Sequence, residues 1–173
     1  MPDRKQYVLD ANVFIQAHRR HYAFDICPGF WDLLVRQHSA RTVCSIDKVR
    51  DEIAAGQDGD ELKKWVKDKQ PLDGFFKGTA DAAVLAAFRK MMNWVQAHPS
   101  FTQDAKSEFA GAADGWLVAY AAANGLAVVT HEELAPQIKK QVRIPNLCVQ
   151  FGVEYLDTFK MLRELEAKLV LGK

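Results

Sequence analysis

The sequence predicts an α/β domain: a central parallel sheet with helices on both faces. Three observations predict it. Tyr7-Val8-Leu9 and Leu126-Ala127-Val128-Val129-Thr130 are apolar runs without inside–outside alternation, as strands covered on both faces require. Helical patterns lie between such short strands, which favours crossover connections over hairpins. Both runs end in acid-bearing sequence, Asp10-Ala11-Asn12 and His131-Glu132-Glu133. Open α/β sheets bind ligands at the carboxyl ends of their strands.

The elements follow in order. After Asp10, the run Val13-Phe14-Ile15 can start a helix, and Phe30 to Val35 is helical after the Pro28-Gly29 turn signal. Thr42 to Ile46 reads as a strand, with Ser45 or Asp47 capping the helix that carries Glu52. Residues 61–69 form a charged helix, and residues 71–78 a loop with Phe75 and Phe76 exposed. A long helix over residues 80–97 is stopped by Pro99. Residues 111–124 form a helix apolar nearly all round, hence buried, and ended by Gly125. Residues 145–152 suggest a short helix, 153–156 a last strand, and 158–171 a terminal helix. The terminal stripe of Phe159, Leu162, Leu165 and Leu169 serves either a homodimer or packing on the chain's own sheet. No linker, repeat or low-complexity tract divides the chain, so residues 1–173 read as one domain.

Asp114 stands out in the buried helix. An unpaired buried carboxylate costs several kcal/mol, roughly, even after relaxation, and no Lys or Arg lies within a turn of it. A bound cation or a proton is the simplest compensation. Each acid also has a plainer reading. Asp10 could be a helix cap and Glu52 a solvated helix residue, although Val49 and Ile53 share its side. Asp51 points about 100° away and reads as surface.

In this order and spacing, Asp10-Ala11-Asn12, Val49-Arg50-Asp51-Glu52-Ile53, Ala113-Asp114 and Val129-Thr130-His131-Glu132 resemble the acidic motifs of PIN-domain nucleases. The tail, Ile144-Pro145-Asn146-Leu147-Cys148 through Val153-Glu154-Tyr155-Leu156, resembles that of a smaller PIN family related to VapC-type toxins. The resemblance implies a PIN-like three-layer α/β/α fold, with Asp10, Glu52, Asp114 and Glu132 as catalytic metal ligands. Most PIN domains carry Asp where this chain has Glu132, whose extra methylene moves the carboxylate outward. Glu133 is its rival, because the strand's end leaves either orientation open.

Four carboxylates ionised together repel one another and call for protonation or a counter-ion. All-oxygen ligands favour Mg²⁺ or Mn²⁺ over zinc. The resemblance implies metal-dependent endonucleolytic cleavage of an RNA substrate, leaving a 5′-phosphate and a 3′-hydroxyl. It also implies a cognate antitoxin that covers the acidic site. Asn12 and Thr130 are candidates to orient carboxylates from behind, or to satisfy backbone at element ends. His18-Arg19-Arg20-His21 reads as a solvated helix end, as a basic turn in which Arg19 and Arg20 touch phosphates, or as two histidines holding a metal with Asp25.

Several classes fail on residues. A haloacid-dehalogenase phosphatase needs a second Asp two positions after the first, where this chain has Asn12. A dinucleotide or P-loop site needs a glycine-rich first turn, and Asp10-Ala11-Asn12-Val13 has none. The alternative from another class is a PIN-like fold that has lost activity and binds RNA or protein. A formal net charge of +1 over 173 residues makes any polyanion contact local. No apolar stretch spans a bilayer, and the polar residues 1–6 are not a signal peptide. Cys27, Cys44 and Cys148 form no C-x-x-C pair and read as reduced thiols of a cytoplasmic protein.

Overall fold

The computed structural model describes residues 5–68 and 72–171. The polar start at residues 1–4, Lys69 of the charged helix and Pro71 of the following loop lie outside the described residues.

Among the described residues, five parallel strands form the sheet. β1 (Tyr7–Leu9) is central, between β2 (Val43–Ile46) and β4 (Ala127–Val129). β3 (Phe76–Lys77) extends the β2 side and β5 (Tyr155–Leu156) the β4 side, giving the order β3-β2-β1-β4-β5. Tyr7 to Leu9 and Ala127 to Val129 are buried throughout, because helices cover both faces. The predicted fold class holds.

α1 (Ala11–Gln16) continues into a π-helical turn, Ala17–His21, and α2 is Pro28–Ser39. α3 (Asp47–Ala54) follows β2 directly, and α4 is Glu61–Lys67. α5 (Ala82–Ala97) begins where the Asp81 carboxylate accepts from the Ala83 N–H at 2.8 Å. α6 is Gln103–Gly111 and α7 Asp114–Asn124, the latter closed by Gly125 in the left-handed region at φ 70°. α8 (Ile144–Phe151) and α9 (Thr158–Glu164) flank β5.

Four expectations are corrected. Neither Ser45 nor Asp47 caps α3. The Ser45 hydroxyl donates to the Leu9 carbonyl at 2.7 Å, stitching β2 to β1, while Asp47 accepts from the Thr79 hydroxyl at 2.9 Å. Phe75 is fully buried and Phe76 half-buried rather than exposed. Phe76 opens β3, and Phe75 packs on Phe14 and Trp65 in an aromatic cluster with Trp31. The helix predicted over residues 111–124 starts only at Asp114; Ala112 is extended at φ −87°, ψ 160°, and separates it from α6. The terminal helix stops at Glu164, and Glu166 takes φ 53°. Leu162 is buried there, whereas Phe159 and Leu169 are each 39% exposed, so the stripe is not continuous.

All three cysteines are free, and burial pushes the Cys44 and Cys148 thiols up to about 12. Among the described residues no helix is long and apolar enough to cross a membrane.

Candidate functional site

The strand order reverses direction between β1 and β4, so the carboxyl end of that pair is the switch point of the sheet. The register Leu9↔Val129 brings the next residues, Asp10 and Thr130, side by side, and the Asp10 N–H donates to the Val129 carbonyl at 3.0 Å. The Thr130 hydroxyl donates to Asp10 Oδ2 at 3.0 Å and accepts from the Glu132 N–H at 3.1 Å. Both side chains are buried. Asp10 makes no capping bond to α1, which removes its plainest structural role.

A cleft of about 620 Å³ opens over this point. Asp10 forms its floor. Glu52 enters from α3, Asp114 from the first position of α7, and Glu132 from the segment after β4. The four acids singled out from sequence therefore line one cavity, gathered from segments far apart in the chain. Asn12 also lines it, exposed on α1. Glu133 does not; it is exposed, and its carbonyl accepts from Arg143.

The break before α7 determines what Asp114 can do. Buried mid-helix, its carboxylate would face only apolar neighbours. At the first position it lies beside free N–H groups and the positive end of the helix dipole, and it opens into the cleft. Even so its pKa is raised to about 8, first by burial and then by the charges of Asp10, Glu132, Glu52 and Glu108. Burial likewise pushes Asp10 up to about 7, against the lowering effect of the Thr130 hydrogen bond, with Glu132 and Glu52 adding to the rise. Burial also raises Glu52. Glu132 is held differently: its Oε2 accepts from the Ile144 N–H at 2.7 Å, at the start of α8.

Sequence reasoning missed four lining groups: Glu108 on α6, Lys48 on α3, Trp116 on α7 and Gln141. Asp51, expected at the surface, is exposed and paired with Arg50 at 2.9 Å, yet it also lines the cleft. Lys48 brings a cationic side chain into the cleft beside the acids. Lys48 lies four residues before Glu52, a spacing that puts both on one helix face and was legible in the sequence.

This donor set suits a hard divalent cation. It is all oxygen, and burial together with the neighbouring acids raises the pKa of Asp10 to about 7 and of Asp114 to about 8. The carboxylates stand apart across the cleft: among the described residues no three Asp, Glu, His or Cys side chains are arranged to hold a metal.

Arg19 and Arg20 are exposed on the π-helical turn and are not among the cleft-lining residues. The histidines beside them diverge rather than forming a metal site with Asp25. His18 Nε2 lies 3.6 Å from Asp60 with its ring against Phe24, whereas His21 packs on Phe159.

A family described as Domain of unknown function (DUF4411) matches residues 7–169. No curated protein matches the chain in sequence. Among solved structures, the chain is similar to one from Rickettsia felis, VapBC2 bound to a DNA fragment from its promoter. That likeness has a TM-score of 0.51 at 13% identity, and covers 87% of this chain and 97% of the other. The likeness is one of fold, and it bears out the resemblance to PIN domains at that level.

Proposed function

The chain belongs to the DUF4411 family, and from that premise we propose that it is a metal-dependent endoribonuclease using Mg²⁺ or Mn²⁺. One observation carries the reading. Asp10 and Asp114 are held in a shared cleft with Glu52 and Glu132, and both keep raised pKa values. A fold that needed these acids only for stability would have paired them. A cation held by these acids would supply an activated water and stabilisation of a phosphodiester's leaving oxygen.

The chain's own residues supply position. Asp10 and Asp114 would hold the cation, with Glu52 and Glu132 completing the set. Thr130 fixes the Asp10 carboxylate through its hydrogen bond to Oδ2. The Ile144 N–H similarly orients Glu132, which accommodates the longer side chain. Arg19 and Arg20 reach phosphates of a strand that extends beyond the cleft. The similar fold in VapBC2 supports a further reading, that the chain is the toxin of a toxin–antitoxin pair whose antitoxin covers this cleft.

The test is cleavage of single-stranded RNA. Activity is expected with Mg²⁺ or Mn²⁺ and none in EDTA, and Asp10→Asn should reduce it by orders of magnitude, roughly the loss of a metal-holding charge. Cleavage that persists in EDTA would reject the proposal. If the chain were instead an inactive binding module, calorimetry with Mg²⁺ or Mn²⁺ would give no heat from the cleft.

The fourth acid has its own test. Glu132→Gln keeps an acceptor for the Ile144 N–H but loses the charge. It is expected to raise the Mn²⁺ concentration required for half-maximal activity about tenfold, the usual scale for a perturbed metal site. Glu133→Gln should leave that concentration unchanged. The opposite pattern would move the assignment by one residue.

A further inference from the structure

One wall of the acidic cleft is aromatic. Trp116 lies two residues after Asp114 on α7 and lines the same cavity, half-buried. Its ring stacks on Phe88 of α5, centroids 3.7 Å apart and planes 9° from parallel. A ring so close fills that face. The Lys48 ammonium, 5.7 Å from the Trp116 centroid, therefore lies over the opposite one. Lys48 is exposed, and among the described residues lining the cleft it is the single Lys or Arg.

Gly115 makes room for the stack. A Cβ there would stand 2.7 Å from Phe109 Cζ and 3.0 Å from Phe88 Cε2, so a larger residue would displace the Phe109 ring and crowd Phe88 where it lies under Trp116. Apolar burial alone would have drawn the indole into the core, where Leu117 and Val118 beside it are fully buried. Instead one face is backed by a fixed ring and the other is covered by a flexible cation.

We propose that Trp116 is a stacking platform for an unpaired nucleobase of RNA, next to the phosphate held at the acids, with Lys48 swinging off the indole onto a neighbouring phosphate. The position of that phosphate rests on the nuclease reading above. The charge balance favours stacking as the source of affinity. With acids crowding the cleft and Lys48 alone to offset them, phosphate attraction is weak, whereas base–aromatic stacking is tolerant of sequence and survives salt. A base inside a duplex cannot reach the ring, so the site selects unpaired nucleotides.

The experiment measures binding of a short single-stranded RNA in EDTA, where nothing is cleaved. Trp116→Leu should bind about tenfold more weakly, and Trp116→Phe within about threefold of wild type. Lys48→Met should bind more weakly with a salt dependence shallower by about one charge. An abasic version of the strand should lose the difference between wild type and Trp116→Leu. Equal affinity of Trp116→Leu and wild type for the intact strand, or no binding by wild type, overturns the platform. Cleavage with Mn²⁺ separates the two readings. If Trp116→Leu cleaves RNA with the wild-type KM, the platform fails and the nuclease stands. If binding depends on Trp116 but wild type cleaves nothing, the nuclease fails and the platform stands.

Discussion

Asp114→Asn is expected to abolish RNA hydrolysis and at the same time to melt above wild type in metal-free buffer at pH 7. The two effects share one cause. With its pKa raised to about 8, wild-type Asp114 is mostly protonated in the folded state at pH 7 but ionised in the unfolded chain. Folding therefore has to take up a proton against the ambient pH, and Asn is neutral without that step. Asn also suits the first turn of α7, where its amide replaces the carboxyl without added volume. Each 1 kcal/mol recovered raises the melting temperature by about 2–4 °C in a chain of this size. Adding Mn²⁺ should stabilise wild type by mass action and the variant much less, so their order should reverse as metal is titrated in. Thermal unfolding in EDTA and across a Mn²⁺ series measures both. A variant less stable than wild type in EDTA would mean that Asp114 has a structural partner, and the site assignment would fail with it.

The metal-free wild type should also become more stable as pH falls from about 8 toward 4. The sign follows from proton counts. Between the unfolded value of 3.8 and the folded values near 7 for Asp10 and 8 for Asp114, the native state binds protons that the unfolded chain has released. Stability then declines as pH rises, by roughly 1.4 kcal/mol per pH unit for each fully protonated acid. Above pH 8 this loss is complete. At the acid end the trend turns over, because Glu164 is lowered by its bonds to Lys5 and Tyr7, and its contribution disappears as pH falls through its folded pKa. Urea midpoints in EDTA at several pH values would show the slope. A midpoint that is flat or rising between pH 5 and 8 would contradict the repulsion argument.

What the sequence revealed depended on whether the deciding contact is local. β1, β4, Asp10 and Glu132 were legible because a strand's carboxyl end and the acid that follows it are near neighbours in the chain; Asp114 stood out as a lone acid in an apolar helix, and Glu52 came from the resemblance. Phe75 was misread because Gly74, Gly78 and a nearby Pro mark a loop, while its partners Phe14 and Trp65 come from other helices. The break before Asp114 was invisible because Ala112-Ala113 carries no stop signal, and Gly111 fits a helix start as well as an end. Helical periodicity likewise ran past Glu164, where neither Gly nor Pro marks the stop. Trp116 passed for one more apolar residue of a buried helix; its place beside the cleft comes with contacts from other elements, Phe88 of α5 and Lys48 of α3.

The bond between Thr130 and Asp10 spans 120 residues of chain. Protein synthesis delivers those two groups roughly 6–24 s apart at 5–20 residues per second. Until β4 has left the ribosome, Asp10 has neither its hydrogen-bond donor nor Glu132 across from it, and the strand that should lie beside β1 is missing. The acidic cleft is therefore assembled late relative to Asp10, only once β4 and the segment after it have emerged. Whatever binds the assembled cleft meets it only after β4 has emerged.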